Sequence, residues 1–148
     1  MKRRMTTVAV IQNNEGKYLI CKMPMNRGVF PGQWGIPGGG MDENETMEES
    51  LRREISEEVG LEISEIKPWY FRDDVRIKKL REGGEEEQYL IYLMFLCTGM
   101  GEVKLNDEFE AYKWVSIEEA QGQDLNDATR ITFERLRKET GNGTSQSR

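Results

Sequence analysis

No histidine occurs among the 148 residues. That excludes histidine general bases, Ser-His-Asp and Cys-His machinery, and every histidine-ligated zinc site. Proton transfer would fall to carboxylates, and any metal would have to accept oxygen ligands. Cysteine is scarce as well: Cys21 and Cys97 both lie in apolar, strand-like runs, where a reduced buried thiol is the expected state. Long apolar runs are missing. The longest, Tyr89 to Cys97, falls far short of the ~20 residues a membrane span needs, so no membrane contact is expected. The chain starts Lys2-Arg3-Arg4 and enters a strand pattern without the apolar stretch of a secretory signal, which makes a cytoplasmic protein the expectation. Positive charge is in deficit, with a net charge of −6. Polymeric nucleic acid is therefore a poor partner, whereas a small anion bound through a metal is allowed.

Apolar residues make up 36% of the chain and charged residues 32%, the balance of one soluble globular domain. Thr6 to Gln12 and Lys17 to Met23 read as strands joined by the turn residues Asn13-Asn14-Glu15-Gly16. A Gly- and Pro-rich stretch, Pro24 to Pro37, holds a short Trp34-Gly35-Ile36 segment and leads into Gly38-Gly39-Gly40. From about Asn44 to Val59 there is no Gly or Pro, and Met47, Leu51, Ile55 and Val59 recur every fourth position, which predicts an amphipathic helix capped by Gly60. Strands are predicted near Glu65 to Lys78, Gln88 to Cys97 and Tyr112 to Val115, with a final helix over about Asn126 to Lys138. This order predicts an α+β fold with a mixed sheet. Residues 1–139 form the expected domain; 140–148, rich in Gly, Asn, Thr, Ser and Gln, are expected to be a disordered tail.

In the first helix Glu54, Glu57 and Glu58 stand at i, i+3 and i+4, on a stripe roughly 80–100° wide. A solvated acidic face is the ordinary meaning of such a stripe. Clustering three like charges also weakens the helix, and a divalent cation would compensate for it; oxygen-only ligands favour Mg²⁺, with Mn²⁺ next. Arg53, four residues before Glu57, can pair with a carboxylate and fix its orientation. The glycines before the helix read as a loop whose bare backbone can approach a phosphate or offer a carbonyl to a metal. No Gly-Lys-Ser/Thr follows, so this is not a P-loop.

Gly39, Glu45, Arg53, Glu54, Ile55, Glu57, Glu58, Gly60 and Leu61 together resemble the Nudix box at every fixed position. Chance agreement is on the order of 10⁻⁹ per starting point. The resemblance implies the Nudix fold, a mixed β-sheet sandwiched between α-helices. It also implies a Mg²⁺-dependent hydrolase of phosphoanhydrides. By the same resemblance Glu54, Glu57 and Glu58 bind the cation, the Gly38 carbonyl is a further ligand, Glu54 or a loop carboxylate activates water, and Glu45 and Arg53 orient the others. A homodimer is also expected from it.

Outside the box, the segment Arg27 to Trp34, the residues Leu105 to Phe109 with Tyr112, Trp114 and Val115, and the stretch from Asp124 to Arg130 resemble a bacterial nucleoside triphosphatase branch. That branch prefers pyrimidine deoxynucleoside triphosphates and yields nucleoside monophosphate and pyrophosphate. Nucleotide-sugar hydrolases of the GDP-mannose type share part of the pattern, so these and ADP-ribose hydrolases stay open, as does a Nudix module that senses a nucleotide without cleaving it. Substrate-binding candidates are Arg27, Phe30, Trp34, Arg72, Arg76 and Asn126. Trp34, with Trp69, Tyr70 and Phe71, can stack on a base or belong to the core; Arg72 and Arg76 can hold phosphates or form a solvated edge. Asn126 can read a base or cap the last helix. Glu108, in a loop, can be an extra ligand, the base or a plain surface acid.

Overall fold

The structure, a computed structural model, describes residues 1–140. Its elements run β1 (Lys2–Gln12), β2 (Tyr18–Lys22), β3 (Trp34–Gly35), β4 (Gly38–Gly40), α1 (Met47–Val59), β5 (Glu62–Lys79), β6 (Glu85–Met100), β7 (Ala111–Val115), α2 (Ile117–Ala120) and α3 (Asp127–Thr140). The strands form one mixed sheet in the order β3-β2-β1-β6-β5, with β4 added on β1 and β7 on β2. β1 and β6 are parallel through eleven paired positions, Lys2 with Gln88 to Gln12 with Thr98. The other ladders are antiparallel.

Side chains alternate across the sheet, so the central strands bury both faces. Val8 and Val10 of β1 join Leu90, Tyr92 and Met94 of β6 on the face covered by Phe133 and Leu136 of α3. Ala9 and Ile11 join Phe95 and Cys97 on the other, covered by Leu51, Ile55 and Val59 of α1. Each fully buried aliphatic side chain there contributes about 1.5–3 kcal/mol. This is the sandwich the family resemblance implied. Cys21 and Cys97 are free and buried, as expected. Ser50 is the one hydroxyl of α1 on its buried side, and it bonds to the Thr7 hydroxyl of β1 at 3.0 Å.

Several local expectations shift. Helix α1 starts at Met47 rather than near Asn44, because Thr46 and Glu49 close a capping box: the Glu49 N–H donates to Thr46 Oγ1, and the Thr46 N–H to Glu49 Oε1. At its other end Gly60 takes the left-handed cap at φ 71°. Gly38–Gly40 is not a free loop but a strand, paired with Val8, Thr7 and Thr6. The one-turn helix α2 was not foreseen; four residues are too few for a periodic signal. Thr140, assigned to the tail, is the last residue of α3, its hydroxyl donating to the Leu136 carbonyl at 2.7 Å. The expected disorder of 141–148 lies outside the described residues. No helix among the described residues is long and apolar enough to cross a membrane.

Candidate active site

Packing α1 through Leu51, Ile55 and Val59 fixes where its acids point. At ~100° per residue, Glu58 lies about 60° from the centre of that apolar stripe, Glu54 about 100° and Glu57 about 160°. Burial follows the same order. Glu58 is 7% exposed, the Glu54 side chain 14% and the Glu57 side chain 59%. Glu54 and Glu58 are within hydrogen-bonding reach of one another, and the Gly38 N–H donates to Glu58 Oε1 at 3.2 Å. Burial pushes the Glu58 carboxyl well up, and the charges of Glu54 and Glu108 push it further.

Strand β4 needs its glycines for two different reasons. A Cβ on Gly38 would stand 2.2 Å from the Thr7 carbonyl oxygen, so this residue lets β4 close on β1. A Cβ on Gly39 would stand 2.4 Å from the Glu54 carboxylate, so this one leaves the acid its place. Arg53 grips Glu45 with two bonds, Nε to Oε2 at 2.5 Å and Nη2 to Oε1 at 3.0 Å, and also reaches Glu54 at 3.1 Å, Glu57 at 3.3 Å and the Gly40 carbonyl at 3.3 Å. The hydrogen bonds from Arg53 and from the Asp42 N–H hold Glu45 down to about 2, and Arg53 is in turn raised by Glu45. Glu45 and Arg53 thus stand as a clamp beside the acids.

Glu108 arrives from a distant part of the chain. Lys104 N–H donates to the Val59 carbonyl at 2.8 Å and Asn106 N–H to the Glu58 carbonyl at 3.1 Å, which staples the loop after β6 to the end of α1. Asn106 Oδ1 then accepts from the Glu108 N–H at 2.8 Å, and Phe109 is buried just beyond. Gly38–Gly40, Glu54, Glu58 and Glu108 all line one cavity of about 360 Å³.

The cavity lies over the α3 face of the sheet. Its walls include Thr6, Arg72, Gln88, Tyr92 and Phe30, with Asn126 and Thr129 from the start of α3. Among the substrate-binding candidates, Phe30, Arg72 and Asn126 line it. Asn126 also caps α3, its Oδ1 accepting from the Thr129 N–H at 2.8 Å. Arg27, Trp34 and Arg76 are not part of the lining. Arg27 Nη1 bonds Asn26 at 3.4 Å. Trp34 sits under Lys113, 4.9 Å from its ring centre. Arg76 pairs with Asp74 at 2.7 Å and Asp127 at 3.5 Å while lying over Phe30. Trp69 donates to Glu139 at 3.0 Å, Tyr70 bonds the Thr132 hydroxyl at 2.8 Å and Phe71 is 78% exposed, so none of the three serves the cavity. Tyr92 and Gln88 were missed. Their signal is a pair of polar-tipped side chains at 88 and 92, flanking Leu90 on the buried face of a strand.

Among the described residues no three acidic or thiol side chains already surround one point, and Glu57 is bonded to Arg53. The donor chemistry nevertheless fits a hard divalent cation. Glu54, Glu58 and Glu108 offer oxygen only, burial and then the neighbouring acids raise Glu58, and the bare backbone of Gly39 leaves space beside Glu54.

A family model described as the NUDIX domain matches residues 2–136. The chain is 53% identical over 136 residues to the nucleoside triphosphatase NudI of Enterobacter sp. (strain 638), covering 90% of this chain and 96% of that protein. It is also 53% identical over 134 residues to the NudI of Salmonella typhimurium, covering 88% and 95%. Among solved structures, the MutT protein of Methanosarcina mazei Go1 superposes with a TM-score of 0.74 at 27% identity, over 93% of this chain and 95% of that one. A MutT NUDIX hydrolase of Burkholderia pseudomallei gives 0.72 at 28%, over 92% and 99%.

Proposed function

The chain belongs to the Nudix family, and from that premise we propose a Mg²⁺-dependent nucleoside triphosphatase that releases nucleoside monophosphate and pyrophosphate and prefers pyrimidine deoxynucleoside triphosphates. One observation carries the reading. Glu54, Glu58 and Glu108, from two distant segments, meet the glycine strand at a cavity that continues past them. The NudI likeness over nine-tenths of the chain supports the triphosphate, and the branch residues around Arg27 to Trp34 and Leu105 to Val115 support the pyrimidine.

Phosphoanhydrides already carry a good leaving group, so hydrolysis needs charge neutralisation and an aligned water. When bound, a divalent cation supplies the neutralisation and makes water more acidic. Glu54, Glu57 and Glu58 would hold it, with the Gly38 carbonyl; Mn²⁺ suits the same oxygens. Glu57, bonded to Arg53 at 3.3 Å, would have to leave that partner to join them. Arg53, gripped by Glu45, keeps Glu54 aimed into the cavity. Glu54 or Glu108 takes the proton of the attacking water. The same reading carries a cytoplasmic location, where free nucleotides are, and a homodimer.

The test incubates the protein with Mg²⁺ and a panel of triphosphates, nucleotide sugars and ADP-ribose, following pyrophosphate. Release concentrated on dTTP, dCTP or dUTP, lost with a chelator while the fold persists, is expected. Glu57→Ala should abolish turnover with an unchanged melting temperature, because that side chain is solvent-exposed. Cleavage confined to a nucleotide sugar or ADP-ribose would overturn the triphosphatase reading, and silence across the panel would leave a nucleotide-sensing module.

A further inference from the structure

The cavity has an end remote from the acids. Register places Gly40, Thr6, Tyr92 and Arg72 in one row across β4, β1, β6 and β5. At 4.7–4.9 Å per strand, the backbone of Arg72 stands about 14 Å from that of Gly40. Tyr92 is only 8% exposed, and its hydroxyl has no hydrogen-bond partner; Arg72 Nη1 is likewise buried and unpartnered. Both residues line the cavity, and the Arg72 guanidinium lies 5.3 Å from the Tyr92 ring centre. Two neighbouring polar groups of the lining do have partners: Gln88 Nε2 donates to Glu86 at 2.7 Å, and Asn126 Oδ1 caps α3. Leaving two buried polar groups unmade opposes folding, so their presence on one cavity wall calls for a ligand that satisfies them.

The chemistry of the pair restricts that ligand. Arg72 Nη1 can only donate, and burial holds the Tyr92 hydroxyl in its protonated, donating form. The positive charge is already answered, since Asp74 reaches Arg72 at 3.5 Å and Arg76 at 2.7 Å and Asp127 adds a second carboxylate. A neutral acceptor suits this end better than a phosphate, whose place is with the acids some three strands away. We propose that Tyr92 Oη and Arg72 Nη1 donate hydrogen bonds to an exocyclic carbonyl oxygen of the nucleobase, selecting the pyrimidines, each of which carries one at C2, over adenine, which has none. This rests on the triphosphatase reading and names two residues that turn it against adenine.

Tyr92→Phe removes the hydroxyl and little else. The readout is the ratio of kcat/KM for dTTP to that for dATP, which should fall roughly tenfold, the loss of one hydrogen bond to an uncharged group. Because the hydroxyl has no partner in the free protein, the melting temperature should stay level or rise. Arg72→Met should lower the same ratio. An unchanged ratio in an active variant, or a marked drop in melting temperature, would overturn the proposal while leaving the triphosphatase reading intact. Wild-type protein that cleaves no triphosphate would overturn both.

Discussion

Alanine at two adjacent glycines should separate folding from catalysis. At Gly39 the three atoms nearest the new methyl would all belong to the Glu54 carboxylate, at 2.4 to 2.6 Å, the far end of a flexible side chain. Regaining ordinary contact at 3.4 Å moves that carboxylate by about an ångström. Misplacing a catalytic group by that much costs about 10²-fold, or ~2.7 kcal/mol of barrier. At Gly38 the methyl would meet backbone, the Thr7 carbonyl oxygen at 2.2 Å and the Val8 Cα at 2.8 Å, and neither can move without opening the β1–β4 ladder. Overpacking of this kind costs about 1–3 kcal/mol of stability. Pyrophosphate release and urea denaturation, run on both variants, decide it. Gly39→Ala should fold like the wild type and lose about a hundredfold in kcat, while Gly38→Ala should lose stability first. Full activity in Gly39→Ala would refute the argument that its missing side chain positions Glu54.

Two further expectations concern the supports of α1. Because Arg53 holds Glu45 at about 2, below the unfolded value of roughly 4.3, its ion pair stabilises the fold above the unfolded pKa and loses that effect as pH falls through the folded one. The gap in urea midpoint between the wild type and Glu45→Gln should therefore be constant near neutrality and close between about pH 4 and pH 2; a gap that ignores pH would contradict the clamp. Thr46→Ala removes the hydroxyl that accepts from the Glu49 N–H, leaves the backbone bond to Glu49 Oε1, and should cost about 1 kcal/mol by thermal denaturation with catalysis largely kept; no change would show that the cap is dispensable.

The sequence alone determined whatever depends on neighbours along the chain. Leu51, Ile55 and Val59 recur at the helical period, Gly60 follows where a left-handed cap belongs, and the acids between them declare the chemistry, because helix geometry is set within a few residues. It could not decide which carboxylates turn inward. Glu54, Glu57 and Glu58 look alike in the string, and only the docking of α1 buries Glu58, sets Glu54 beside Gly39 and leaves Glu57 outside on Arg53. Nor could it separate Phe30 and Arg72, which line the cavity, from Trp34 and Arg76, which do not. Glu108 joins the site because two backbone bonds fasten its loop to α1, and Tyr92 faces Arg72 because of strand register. Contacts of that kind connect residues tens of positions apart, and a strand displaced by one residue would turn every side chain to the opposite face.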